Sequence, residues 1–364
     1  MFSSAYIIAT NRCNMRCSYC YERDFFKDNF KDMSLETMNR TSEFLVEHGD
    51  KHSFAERNNN LSIFYFGGEP TLAWATIKEN IKYNKELEKK SGLKFGHFFL
   101  TNGYKLPEPK DEFFQMLKSK DIIVQVSLDG CKQAHDTTRG HFEEIVKNIA
   151  EIQVALNHHI IVRMTVTPEN IRHAFESFRA MASLSCTVAL TLAMETLWTE
   201  EHTKIAEEQF TQIMNYYKKI SQRTALTFNI ASKICKGGFA YCHAGNNMVG
   251  VDVDGSIYPC HRFPFHPNKE ENWKMGDVFT GVKKYPKWEG MYNQCDGCEV
   301  NICHPCPSAL LLNDIKLPNT YCDVYKTIQK TCTPIAKDVH AYNLEQIMLK
   351  YVQLATRQVS TEKK

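Results

Sequence analysis

Residues 5–20 read Ala-Tyr-Ile-Ile-Ala-Thr-Asn-Arg-Cys13-Asn-Met-Arg-Cys17-Ser-Tyr-Cys20. The apolar run Ala5–Thr10 has the length of a buried strand, and the chain leaves it into a loop whose cysteines are spaced CxxxCxxC. Three thiolates on one tight loop suit three irons of a [4Fe–4S] cube and leave the fourth iron open to an outside ligand. A structural zinc ion would want four ligands, commonly as paired CxxC units, and no fourth Cys or His lies nearby.

The strand-then-loop pattern recurs. Strand-like runs fall at Leu61–Phe66, Gly96–Thr101, Ile122–Leu128, Ile160–Val166 and Thr187–Ala193, apolar or β-branched as buried parallel strands are. Helical stretches alternate with them. Ser34 supplies a cap before Leu35, Glu169-Asn170 opens a helix after Pro168, and apolar residues recur at helical spacing from about Glu200 to Ile220. The fold class is α/β. A complete eight-unit barrel takes about 250 residues, so six units in about 220 predict a partial (β/α)6 TIM-like barrel with its site at the C-terminal strand ends.

Composition excludes several classes. Of 364 residues, 43% are hydrophobic and 24% charged, with a formal net charge of +2, as in ordinary globular proteins. No basic patch argues for nucleic acid, and no apolar run could span a bilayer, so neither is an expected partner. The first residues show no basic leader before a long apolar run. A soluble cytoplasmic protein is the expectation. The 14 cysteines then argue for cluster ligation rather than disulfides, with isolated Cys131, Cys186 and Cys332 as small buried hydrophobes.

After about Asn229 the texture changes to Cys, Gly, Pro and His. One hairpin is predicted over residues 248–258, turned by Asp254-Gly255. Three units follow: a barrel over 1–228, a cysteine-rich domain over 229–333 that bound clusters would hold together, and a helical tail over 334–364.

With its strand-end motifs, the N-terminal triplet resembles the radical S-adenosylmethionine (SAM) superfamily over the first 220 or so residues. The resemblance implies that Cys13, Cys17 and Cys20 hold a [4Fe–4S] cluster whose open iron binds SAM. The sulfonium is then split to a 5′-deoxyadenosyl radical. Tyr19 would lie near the adenine. Phe66-Gly67-Gly68-Glu69-Pro70 looks like the element holding the SAM amino group, with Gly67 and Gly68 allowing close approach and Glu69 accepting from the ammonium. Thr101-Asn102-Gly103 and Ser127-Leu128-Asp129-Gly130 offer Asn102, Ser127 and Asp129 to ribose hydroxyls or the methionine carboxylate. Arg139, in SLDGCKQAHDTTRG, suits that carboxylate, and Arg163 is a weaker candidate for it.

The C-terminal array runs Cys242-x12-Gly255-x4-Cys260, then Cys295-x2-Cys298-x4-Cys303-x2-Cys306, then Cys322. It resembles the SPASM extension of the peptide- and protein-modifying branch, with its second half one residue short in two spacings. A zinc ribbon is the rival, but only four residues separate its would-be CxxC pairs, where a ribbon has about 15 to 20. By resemblance, Cys242, Cys260 and Cys306 hold one auxiliary [4Fe–4S] cluster and Cys295, Cys298, Cys303 and Cys322 another, three clusters in all. Position 248, where a further cysteine is common, is Met; either Cys235 completes the first cluster or its fourth iron stays open.

Two reactions compete. Anaerobic sulfatase maturation resembles this chain less, because His261 stands where that branch has a catalytic Asp. The phrase Tyr258-Pro-Cys-His-Arg-Phe looks closer to maturases that install thioether or carbon–carbon crosslinks in ribosomal peptides. His261, Asp277 and Glu195 are candidate bases. The first strand starts almost at once, so no leader-gripping N-terminal domain is expected; either a separate recognition protein takes its place or the substrate binds through the barrel and the C-terminal helix alone. A flavodoxin or ferredoxin would supply electrons. Outside the enzyme class stand an iron–sulfur electron carrier and a zinc-stabilised regulator.

Overall fold

The computed structural model describes residues 2–22, 30–49, 60–157, 160–184, 186–194, 196–221, 228–236, 242–266, 269–288, 295, 297–303, 305–312 and 320–340. Six parallel strands, β1 (Ser4–Thr10), β2 (Asn60–Gly67), β3 (Lys94–Thr101), β4 (Ile123–Ser127), β5 (Ile161–Val166) and β6 (Thr187–Leu192), lie side by side in chain order. Helices joining them cover one face. Ser34 Oγ accepts from Thr37 N at 3.0 Å and starts the helix Leu35–His48, as its sequence position predicts.

Burial along the strands departs from the sequence expectation of strands covered on both faces. In β2 and β3 every second residue is buried and its neighbours are only half-buried. Leu61, Ile63 and Tyr65 meet the helices, whereas Ser62, Phe64 and Phe66 look the other way. The cause is the incomplete barrel, whose inner face stays open instead of closing into stacked side-chain layers.

The C-terminal region joins the same sheet. β7 (Met248–Val251) pairs in parallel with β1, turns back through Asp254-Gly255 to β8 (Ser256–Tyr258), and continues into β9 (Gly276–Asp277) and β10 (Gly281–Val282). Gly255, at φ +88°, closes that turn, its N–H donating to Asp252 O at 2.9 Å. Val249, Val251, Ile257 and Val278 belong to the barrel's own core, so apolar packing as well as any cluster ties this region down.

Residues 320–340 are helical, across the boundary expected at 334, and 341–364 lie outside the described residues. Val324, Ile328, Cys332, Ala336 and Val339 make its buried stripe. Among the described residues no helix is long and apolar enough to cross a membrane.

A polar network sits within the core. Tyr65 Oη donates to Asn80 Oδ1 at 2.7 Å, and Asn84 Nδ2 meets His97 Nε2 at 3.1 Å. His97 Nδ1 lies 3.1 Å from Asp121 O and therefore carries the proton. Burial holds the His97 pKa down to about 4, and that of His135 likewise. Both are depressed below the unfolded value of about 6.5, so the unfolded chain binds their protons first. The stability these two rings contribute is therefore full above about pH 6.5 and falls toward pH 4, by up to about 3 kcal/mol for each ring. Anaerobic thermal unfolding followed by circular dichroism should show its steepest loss in that window, and His97→Gln should flatten it.

Candidate active site

The loop after β1 is held by backbone contacts that only glycine allows. Gly68 N donates to Thr10 O at 2.9 Å and Glu69 N to Arg12 O at 2.8 Å. A Cβ on Gly67, at φ +121°, would fall 2.2 Å from Thr10 O, and one on Gly68 2.1 Å from Arg12 O. The close approach expected of a ligand is thus made first by the chain's own cysteine loop. Arg12 Nε and Thr10 Oγ1 both reach Asp32 Oδ1, at 2.9 and 2.6 Å, and close the loop's base.

Cys13, Cys17 and Cys20 lie close enough for their charges to act on one another. Burial, reinforced by neighbouring carboxylates and by each other's charge, pushes the Cys13 and Cys20 thiols up to about 12. Bare thiolates would be unstable there, so positive irons would supply what the loop lacks. Among the described residues no three His, Cys, Asp or Glu side chains converge as ligands of a single ion. A cubane asks less of them, since each thiolate binds its own iron around a wider space.

Glu69 is 1% exposed and leaves β2 toward the end of β3. Its Oε1 accepts from Thr101 Oγ1 at 2.7 Å and Thr71 N at 3.0 Å, its Oε2 from Asn102 N at 2.7 Å. All of these donors are neutral. Burial pushes the carboxyl up against them, so an ammonium group is the partner it still lacks. Asn102 also donates to Asn14 Oδ1 at 2.8 Å and lies 3.9 Å from Cys13 Sγ.

Asp129, fully buried, gathers the opposite side. Its Oδ2 accepts from Tyr19 Oη at 2.6 Å, Arg139 Nε at 2.9 Å and Thr138 Oγ1 at 3.0 Å, and its Oδ1 from Thr165 N at 2.9 Å. Asp129 is thus bound to its own chain rather than free for a ribose. Arg139 is engaged in part by Asp129, with its guanidinium 5.1 Å from the Tyr19 ring and Nη1 3.7 Å from Cys17 Sγ. Sequence reasoning passed over His135, whose Nδ1 accepts from Asp129 N at 3.0 Å; it lay inside the quoted SLDGCKQAHDTTRG segment. Ser127 ends β4 opposite Arg163 on β5. Arg163 is exposed on the inner face, in register with Ser127 and Ala189.

The C-terminal cysteines separate into two groups. Burial, then Cys306 and Cys242, raises the Cys260 thiol. Burial, then Cys322, Cys295 and Cys298, pushes Cys303 up to about 12. Cys235 joins neither: its Sγ donates to Ala336 O at 3.3 Å on the 320–340 helix. That helix carries Cys322, and its Gln329 accepts from Asn301 N and donates to Glu299 O, both at 2.8 Å, pinning the loop between Cys298 and Cys303.

The candidate bases fare unequally. The His261 ring stacks on Tyr6 at 4.6 Å and meets Phe66 edge-on at 4.7 Å; burial and then the Arg163 charge push its pKa down to about 3. Asp277 is spent on its own turn, accepting from Phe279 N, Thr280 N and Thr280 Oγ1 near the sheet's far edge. Glu195 lies outside the described residues.

Residues 7–181 match the Radical SAM superfamily model. The chain carries a radical SAM domain. SAM and an iron–sulfur cluster are its cofactors. Over 282 residues it is 25% identical to a cysteine-type anaerobic sulfatase-maturating enzyme of Clostridium novyi, covering 69% of this chain and 71% of the relative. It is 23% identical to the antilisterial bacteriocin subtilosin biosynthesis protein AlbA of Bacillus subtilis, over 78% of this chain and 58% of that one. Native anSMEcpe with bound AdoMet and Cp18Cys peptide shares the fold at TM-score 0.72 and 18% identity, covering 94% and 99% of the two chains. Streptococcus suis SuiB bound to precursor peptide SuiA does so at TM-score 0.57 and 16% identity, over 85% and 74%.

Asp129 gives a direct test. Asp129→Asn would leave the Arg139 charge buried without its counter-ion, a loss of about 3–5 kcal/mol. The variant should melt lower than the parent and bind SAM more weakly in equilibrium dialysis of the reconstituted protein.

Proposed function

We propose that this radical SAM enzyme carries three [4Fe–4S] clusters and takes a hydrogen atom from a side chain of a ribosomal peptide, leaving a thioether or carbon–carbon crosslink. The observation that carries the reading is the sorting of the C-terminal cysteines, with Cys242, Cys260 and Cys306 in one group and Cys295, Cys298, Cys303 and Cys322 in the other. The first group offers only three thiolates among the described residues, and Cys235 points elsewhere. An open iron there would suit a substrate thiolate.

The bound cofactor supplies a carbon-centred radical strong enough to break a C–H bond. The chain's residues do the rest. In this reading Cys13, Cys17 and Cys20 hold the first cluster, Glu69 takes the SAM ammonium, and Arg139, set by Asp129 and Tyr19, faces the carboxylate. Asn102 and Ser127 line the space between. The half-buried aromatic wall of Tyr6, Phe64 and Phe66 keeps water from the reacting carbon. Residues 1–228 are then the radical unit and 229–333 the auxiliary unit, sharing one sheet. A flavodoxin or ferredoxin as electron donor and a separate recognition protein for the leader complete the reading.

Sulfatase maturation remains the second reading, favoured by the Clostridium novyi relative. The peptide-modifying names of AlbA and SuiB favour the first, as does His261 in place of a carboxylate base.

Anaerobic reconstitution should give about twelve irons per chain, four for each cubane. Cys260→Ala with Cys306→Ala should remove about four, and Cys298→Ala with Cys303→Ala another four. Dithionite should release 5′-deoxyadenosine from SAM; stoichiometric zinc without that release would overturn the reading. In turnover of a cysteine-bearing peptide, loss of two hydrogens marks a crosslink, and replacement of sulfur by a carbonyl oxygen marks formylglycine.

A further inference from the structure

The open inner face of the barrel is divided in two. On the β1–β3 side runs an aromatic row: His261 on Tyr6 at 4.6 Å, Tyr6 on Phe64 at 4.4 Å, Phe64 on Phe98 at 4.6 Å. All four rings are half-buried. The β4–β6 side is mixed, with Gln125, Ser127, Thr165, Thr187 and Thr191 on the same face as Arg163, beside Ile123, Ile161 and Ala189.

Arg163 is exposed on that face, and among the described residues it has no acidic partner. Strand register puts it on the same face of the sheet as Tyr6, Phe64 and Phe98. Its charge acts on Lys233. That lysine is on the helix Asn229–Lys236, whose first residue is bolted to β6: Asn229 Oδ1 accepts from Leu190 N and Nδ2 donates to Leu190 O, each at 2.9 Å. The half-buried ammonium follows one turn along that helix; it has no carboxylate partner among the described residues, and the Cys303 thiol also acts on it.

Two cations held near each other repel, and the half-buried lysine has also lost part of its water. An anion between them relieves both terms. A planar carboxylate matches the guanidinium fork, while the rest of the face offers aromatic rings and hydroxyls to the groups beside it.

We propose that Arg163, backed by Lys233, anchors a carboxylate of the peptide substrate, and that the Tyr6–Phe64–Phe98 row receives the apolar side chain next to it. This rests on the reading of the enzyme as peptide-modifying. It also moves Arg163 from the cofactor, where sequence alone placed it, to the substrate.

The test is equilibrium dialysis of reconstituted holoenzyme with SAM against three labelled tripeptides: acetyl-Phe-Cys-Glu-amide, its Gln isostere, and the Gln peptide with a free C-terminus. At least one acidic peptide should bind about ten-fold tighter than the neutral amide, the scale of one charge-assisted contact. Whichever does so identifies the side chain or the C-terminus as the source. The preference should vanish in Arg163→Gln, shrink in Lys233→Gln, and return in part in Arg163→Lys, which keeps the charge but loses the fork. Equal binding of all three peptides overturns the anchor while sparing the peptide reading. If no peptide binds, glutarate decides: Arg163-dependent glutarate binding keeps the anchor and discards the peptide, and none overturns both. Loss of peptide-free SAM cleavage in Arg163→Gln would return the residue to the cofactor and also overturn the proposal.

Discussion

The backbone of Gly67–Glu69 lies against that of Thr10–Arg12 with no room for a side chain between them. Parallel pairing of β1 with β2 delivers both segments to the same end of the sheet. Their mutual hydrogen bonds then fix where the cysteine loop begins. The same turn drives Glu69 inward to the end of β3, where Thr101 and Asn102 receive it. Three strand ends are thus locked by one contact, and the positions of Cys13 and Glu69 cannot vary independently.

Charge is distributed unevenly within that frame. Glu69 is buried among neutral donors, a carboxylate short of a cation. Across the site, Arg139 has a counter-ion in Asp129 but keeps part of its fork toward Cys17 and the Tyr19 ring. The pocket therefore has an anionic and a cationic end. An amino-acid zwitterion entering it would have one orientation that satisfies both, because the reverse would bury like charges together. His135 helps keep this polarity: burial holds it neutral, and its Nδ1 receives the Asp129 amide.

Much of this was legible in the chain. The six parallel strands fall within about two residues of their expected limits, because β-branched runs bounded by capping residues are strong local signals. The GGEP, TNG and SLDG elements were recognisable because strand-end chemistry is compact in sequence. Long-range pairing was not. Nothing local in Met248–Val251 says that its partner is β1, and nothing near Cys235 shows that its sulfur turns to Ala336. Asp277 looked like a free carboxylate until its turn folded back on it. The aromatic row escaped notice because its members are separated by whole helices and meet only through register.

The pairing of β7 with β1 has a consequence for the whole enzyme. Tyr6 lies in register with Gly250. Because Gly250 has no side chain, the backbone at Cys260 and His261 drops onto it; a Cβ there would lie 2.4 Å from the Cys260 carbonyl carbon and 2.6 Å from His261 N. That descent presses the His261 ring onto Tyr6 and sets Cys260 beside the wall that β1 begins. Tyr21, just after the cysteine loop, meets both His261 and Phe265 across the seam, at 6.2 and 6.0 Å. The proposed auxiliary unit is therefore part of the barrel's own wall rather than an appendage behind it. A substrate lying on the aromatic row would touch residues of both units at once, so a shift of one would be felt in the geometry of the other.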